Sequence, residues 1–161
     1  MVDISELCAE VRNYFLKDKI TPQTCIHSGT FTVSDGTITP SDFLKDGQYF
    51  RIVGSDLNER VFLNTSEGLA DLKDEVFSGS VWAMSVPPQF IALAAEIDEW
   101  RKKNETPDSV TYSAMSSENF GNYGYSKDTS AGSKSGVSGA ARTWQTMFYD
   151  RLSPYRRISV L

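Results

Sequence analysis

The chain has 161 residues, of which 40% are hydrophobic, so we expect one ordinary domain with a real core and room for a small subdomain. The net charge of −5 argues against a general nucleic-acid binder, and no apolar run approaches a membrane span in length. The charge is uneven, because the segment from Phe120 onward carries +4 and the remainder −9. This imbalance indicates that a basic C-terminal arm meets an acidic surface, although ordinary surface scatter explains it equally well.

The first elements in chain order are a helix and a block of short strands. Residues 3–6 have the spacing of a capping box, with Asp3 as the N-cap, and the apolar residues that follow predict a helix over 4–17. From Cys25 to Met84 the pattern changes to alternation interrupted by turn signals such as Asp35-Gly36. This block predicts two hairpins and a fifth short strand.

The second half of the chain contains two further predicted helices and a long segment between them. Pro87-Pro88 opens one helix, because proline fits the first helical turn, and residues 140–152 form the last. The intervening segment, Ser116–Gly139, is half glycine and serine, with 12 such residues among 24, yet it contains three aromatic residues. This composition is typical of an arm that becomes ordered against neighbouring proteins.

These elements predict an α+β chain built as a small helical bundle of three main helices, with an inserted β-rich subdomain and a flexible C-terminal arm. Residues 1–20 and 85–161 form the helical core, which carries the arm at 116–139 and a basic tail at 153–161. Residues 22–84 form the β-rich insertion.

No constellation of residues predicts catalysis. His27 is the only histidine, and Cys25 lies on the same face of its strand, but no third group is in place to orient the pair. Cys8, Cys25 and His27 do not make up a zinc site, and Cys8 is expected to be a buried free thiol. We therefore predict no catalytic, cofactor-binding or metal-binding residue and no enzymatic activity. The absence of a visible signal peptide predicts a soluble protein of intracellular origin.

The aromatic residues of the arm are the better functional candidates. Phe120, Tyr123 and Tyr125 provide contact area at low entropic cost in a Gly/Ser background, and the alternative is that they attach the arm to the chain's own core. Trp144 is expected in the core, with a subunit-contact role left open.

Four passages together resemble a known family: residues 42–52, 75–88 and 116–127, and Thr143-Trp144-Gln145 with residues 151–158. The chain resembles the small head–tail connector proteins, also called adaptor or head-completion proteins, of long-tailed bacteriophages and of prophages of Gram-positive bacteria. The four passages span nearly the whole chain in order. Their combination, rather than a single catalytic motif, carries the resemblance.

The resemblance implies a structural virion protein of the phage neck, assembled in the host bacterial cytoplasm. Its copies would form a ring, commonly a dodecamer, beneath the portal protein, and DNA would pass through the channel without sequence-specific binding. Residues 153–161 would then be the portal-docking tail and residues 140–152 its anchor. A stopper or tail-terminator protein would bind the opposite face, and no cofactor or membrane is implied.

Two alternatives remain at this point: a tail-completion or stopper protein of the same neck, and an unrelated enzyme or nucleic-acid-binding module. The residues expected to contact the portal or a neighbouring subunit are Phe120, Tyr123, Tyr125, Trp144, Phe148, Tyr155, Arg156, Arg157 and Ile158.

Overall fold

The computed structural model describes residues 3–17, 24–105, 117–120, 123–126 and 143–157, with only the backbone described for 117–120 and 123–126. The chain divides into two compact units. The sheet unit comprises Val2–Ala94 and Tyr155–Leu161, and the helical unit comprises Ala95–Pro154. Among the described residues, no helix combines the length and apolarity needed to span a membrane.

The sheet unit is built on a curled antiparallel sheet of five strands in the order β2-β1-β5-β3-β4. A short helix, α1, precedes the sheet, and a long helix, α2, follows it. The bounds are α1 Ile4–Glu10, β1 Ile26–Ser34, β2 Thr37–Thr39, β3 Tyr49–Val53, β4 Val61–Leu63, β5 Glu75–Ala83 and α2 Pro88–Asn104.

Local sequence signals explain both hairpins of the sheet. Asp35 and Gly36 have φ of 49° and 69°, the left-handed conformation that a tight two-residue hairpin turn requires, and they join β1 to β2. β3 pairs with β4 across a longer loop, residues 54–60. The predicted hairpins are confirmed, as are the Asp3 N-cap of α1, which accepts a hydrogen bond from the Ser5 N–H at 2.9 Å, and the proline start of α2.

One hydrophobic cluster of the sheet unit is built from the buried side chains of the strands. β1 buries Phe31 and Val33 but exposes Thr30 and Thr32, which is the period-two pattern of a strand with one covered face. The other buried members of this cluster come from all the remaining strands and from the chain before β5: Ile38, Phe50, Ile52, Phe62, Leu72, Phe77 and Val81.

The predicted helical bundle with an inserted β subdomain is wrong, because the five-stranded sheet is the main body and the helices are few. The first helix ends at Glu10 and not at Lys17. After it, Arg12 and Phe15 adopt positive φ, and Leu16 forms a bridge to Met84 beside the sheet. The apolar residues after Glu10 that suggested a longer helix are thus partly or fully buried by a non-helical segment.

The last predicted helix, in the helical unit, is also wrong. Residues 140–152 do not form one helix, since the described part contains only single turns, α3 at Trp144–Met147 and α4 at Tyr149–Leu152. Phe148 interrupts them with φ of −105° and ψ of 11°. The unit also contains the second half of α2 and a two-stranded hairpin, β6 at Ser117–Phe120 and β7 at Tyr123–Ser126. The domain bounds expected from the sequence stay a prediction.

Candidate protein-docking site

The C-terminal tail lies along the end of α1 in the sheet unit. The Arg157 backbone N–H donates to the Val11 carbonyl at 3.0 Å, and the Asn13 side-chain amide donates to the Tyr155 carbonyl at 3.0 Å. Two residues of the predicted docking tail are therefore hydrogen-bonded to the beginning of the same chain.

Tyr155 packs into an aromatic cluster of this unit. Its ring centroid lies 5.0 Å from that of Phe90 and 6.2 Å from that of Phe15, both in edge-on geometry. Phe90 is fully buried, and its ring centroid lies 4.7 Å from that of Phe15. Edge-on aromatic pairs at these distances are favourable beyond the area they bury, so Tyr155 holds the tail in place.

A pocket of about 540 Å³ opens between the end of α1 and this tail. Arg156 lies at the pocket and pairs with Glu10, Nη2 to Oε1 at 2.7 Å. Arg12 and Arg157 are exposed, and neither guanidinium forms an ion pair with a residue in the described part of the chain. The residues that line the pocket are Ala9, Glu10, Val11, Arg12, Arg156 and Arg157.

The pocket is a basic site on an acidic protein. Three arginines and one glutamate give it a formal charge of about +2, whereas the chain as a whole carries −5. Arginine presents a planar fork of donors that matches a carboxylate or a phosphate, so the pocket is suited to an anionic group.

The turn after α1 places Arg12 at the pocket. Arg12 has φ of 52°, a left-handed conformation that costs a residue with a Cβ about 1 kcal/mol. Asn13 stabilises this turn, because its backbone N–H donates to the Cys8 carbonyl at 3.0 Å and its side-chain oxygen accepts from the Phe15 N–H at 3.0 Å.

In the helical unit, two predicted contact residues serve the unit's own packing. Trp144 is buried, and the Arg101 guanidinium lies 5.9 Å from its ring centroid. Phe148 meets Trp100 edge-on, with 6.3 Å between ring centroids. Arg151, near the end of α4, forms a two-pronged ion pair with Glu96 on α2. Whether Trp144 and Phe148 also meet another protein stays a prediction.

The aromatic residues of the predicted arm fall on the β6–β7 hairpin. Phe120 pairs in register with Tyr123, and Glu118 pairs with Tyr125. Most of the remaining arm and Ile158 lie outside the described residues.

Sequence reasoning missed several features of the surface. It did not include Arg12 and Glu10 in the docking site, and it overlooked two exposed apolar side chains on α3 and α4, Met147 at 48% and Tyr149 at 55%. The one available signal for the pocket is Asn13, a residue that tolerates turns, immediately after a helical pattern.

Two of the residues weighed for catalysis or metal binding, His27 and Cys8, are engaged in packing. His27 stacks on Phe43 with 3.8 Å between ring centroids. Cys8 is a buried free thiol, as predicted, and burial raises its pKa to about 12, so the thiol stays protonated at neutral pH. Within residues 3–17, 24–105 and 143–157, no group of three or more His, Cys, Asp or Glu side chains is arranged to hold a metal ion.

Comparison with known proteins gives no relative: no protein-family profile, no curated protein and no solved structure matches this chain.

Proposed function

We propose that this chain is a structural head-to-tail connector of a long-tailed bacteriophage, forming a ring beneath the portal around the DNA channel. The observation that carries the proposal is the basic pocket made by Arg12, Arg156 and Arg157 on a chain of net charge −5. Two of these arginines belong to the tail that the sequence resemblance assigns to portal docking. A concentrated positive patch suits an acidic surface on a partner protein.

The anchored tail supports a docking role. Because Tyr155 packs against Phe90 and Phe15, Arg156 and Arg157 are held at the surface before any partner arrives. A preorganised contact surface spends little side-chain and backbone entropy on binding.

The charge distribution supports the passage of DNA. A ring with a strongly basic lumen would retain the phosphates of the passing duplex. The remainder of this chain, which carries −9, suits a channel wall that does not bind DNA. The basic pocket would then face protein neighbours and not the lumen.

The proposal is tested by binding to purified portal rings of the same phage. Arg157→Glu reverses an exposed charge but keeps the backbone N–H that bonds to Val11, so the variant should fold normally. We expect it to weaken portal binding about tenfold or more. Lys103→Glu, at an exposed position of α2, changes the net charge equally and is the matched control.

Binding would be measured by pull-down and by electron microscopy of the mixed particles. Failure of the wild-type chain to bind portal rings would refute the adaptor role. Equal loss of binding in both variants would show that net charge, and not the pocket, attracts the portal.

A second placement is a stopper or tail-completion protein of the same neck. By the resemblance, related adaptors are helical bundles, whereas the main body here is a five-stranded sheet, so the fold counts against the adaptor placement. A stopper would bind only to portal rings that already carry an adaptor, or to the tail. Adding the chain to portal rings with and without the other neck proteins distinguishes the two placements.

A further inference from the structure

The loop between β3 and β4 is held in one shape by a single carboxylate. Glu75, at the start of β5, accepts hydrogen bonds from the Ser55 hydroxyl, from the Asp56 N–H at 3.0 Å and from the Asn58 side-chain amide at 3.1 Å. The Leu57 N–H approaches the same carboxylate at 3.4 Å. These bonds lower the pKa of Glu75, with the Ser55 hydroxyl as the largest cause, so the carboxylate is charged at neutral pH.

This rigid loop presents an apolar side chain between two acids. Leu57 is 62% exposed, and Asp56 and Glu59 are exposed on either side of it. Neither acid pairs with a cation in the described residues, since the nearby Arg60 pairs with Asp71. An isolated exposed leucine is common on protein surfaces, but a leucine on a loop held by four bonds to one carboxylate is prepared for contact.

The basic pocket at the end of α1 complements this loop. The loop carries two negative charges around a leucine, and the pocket carries exposed Arg12 and Arg157 beside exposed Ala9. A volume of about 540 Å³ is ample for a leucine side chain together with the flanking carboxylates. The loop and the pocket share no residue.

We propose that the β3–β4 loop of one copy occupies the basic pocket of the next copy. A contact in which each copy gives its loop to one neighbour and its pocket to another is head-to-tail, and head-to-tail contacts generate closed rings or open filaments. The inference rests on the proposed ring function and deepens it by naming the subunit contact.

A protein loop suits the pocket better than nucleic acid does. A DNA duplex carries one phosphate charge per about 1.7 Å of its length, so the chain's net charge of −5 opposes the approach of a duplex more strongly than that of a second copy, which carries −5. A leucine flanked by two carboxylates instead places apolar area against Ala9 and negative charge against Arg12 and Arg157.

Two variants and their mixture test the contact. The pocket variant carries Arg12→Glu with Arg157→Glu, and the loop variant carries Asp56→Lys with Leu57→Ser. All four side chains are exposed, so both variants should fold, which circular dichroism would check. Sedimentation velocity up to about 1 mM should show self-association of the wild-type chain, and each variant should raise the apparent dissociation constant at least about tenfold.

The mixture gives the decisive result. The pocket variant keeps a working loop and the loop variant keeps a working pocket, so an equimolar mixture should form dimers and nothing larger. A mixture that stays monomeric, variants that associate like the wild type, or a wild-type chain that is monomeric at the highest concentration would each overturn the inference. Loss of DNA-fragment binding in the pocket variant, with self-association unchanged, would also overturn it in favour of a nucleic-acid site. Arg157 belongs to both proposals, so portal binding is measured with the loop variant, which keeps the pocket intact. Portal binding that survives the loss of self-association, or is lost while self-association is kept, separates the fate of the proposed function from that of the subunit contact.

Discussion

Replacing Asn58 with alanine should remove the support of the β3–β4 loop. Asn58 is only 2% exposed, and its side-chain amide makes two bonds to the backbone of Lys73, accepting from the N–H at 2.8 Å and donating to the carbonyl at 2.9 Å. Each such bond contributes about 1 kcal/mol net, so Asn58→Ala should lower the free energy of unfolding by about 2 kcal/mol. Loss of the bond to Glu75 adds to this change.

The measurement is urea-induced unfolding followed by tryptophan fluorescence, with the change read from the midpoint at constant slope. Asn64→Ala is the matched control, because its side-chain amide makes one solvent-exposed bond to the Lys45 carbonyl, at 2.9 Å. We expect that control to lose less than about 1 kcal/mol. A loss below about 0.5 kcal/mol in Asn58→Ala would refute the reasoning, since it would mean that water replaces the buried amide without cost.

Three further predictions concern pH, thiol reactivity and the tail. Hydrogen bonding lowers the pKa of Glu75, so the charged carboxylate stabilises the fold at pH values above 4.5, and this stabilisation is lost as the pH falls through the lowered pKa. Glu75→Gln should therefore be less stable than wild type at pH 7, and the difference in urea titrations should shrink by pH 3. Half-buried Cys25 should react with a thiol reagent in the native protein and Cys8 only in denaturant, so two fast-reacting native thiols would contradict the structure. Tyr155→Ala should destabilise the sheet unit by about 2 kcal/mol by uncovering Phe90, whereas Tyr155→Phe should stay within about 0.5 kcal/mol; equal effects would exclude the packing role.

Local signals predicted local structure well. The Asp35-Gly36 turn, the alternation at Phe31 and Val33 and the proline at Pro88 each act through the backbone of a few residues, and each is confirmed. The allowed φ values act within a few residues, and the alternation shows that one face of the strand is covered, whichever part of the chain covers it.

The length of the first helix was predicted wrongly because apolar residues at helical spacing show only that their side chains are buried, and not that the backbone between them is helical. Tyr14 and Phe15 find their cover outside a helix, Tyr14 edge-on to Trp82 at 5.8 Å and Phe15 beside Phe90. The pocket was beyond prediction for a related reason. The two walls of the pocket come from opposite ends of the chain. Asn13 and Tyr155, which are hydrogen-bonded beside the pocket, are 142 residues apart in sequence.

The anchored tail decides how portal docking has to be tested. Deleting residues 153–161 would remove the Tyr155 ring from Phe90 and the Arg157 N–H from Val11, so the variant would lose both a candidate binding surface and part of its packing. Lost portal binding in that deletion would follow from either cause. Arg157→Glu keeps the Tyr155 side chain and the backbone bond and changes only an exposed charge, so a loss of binding beyond that of Lys103→Glu comes from the charge at the basic pocket and not from lost packing.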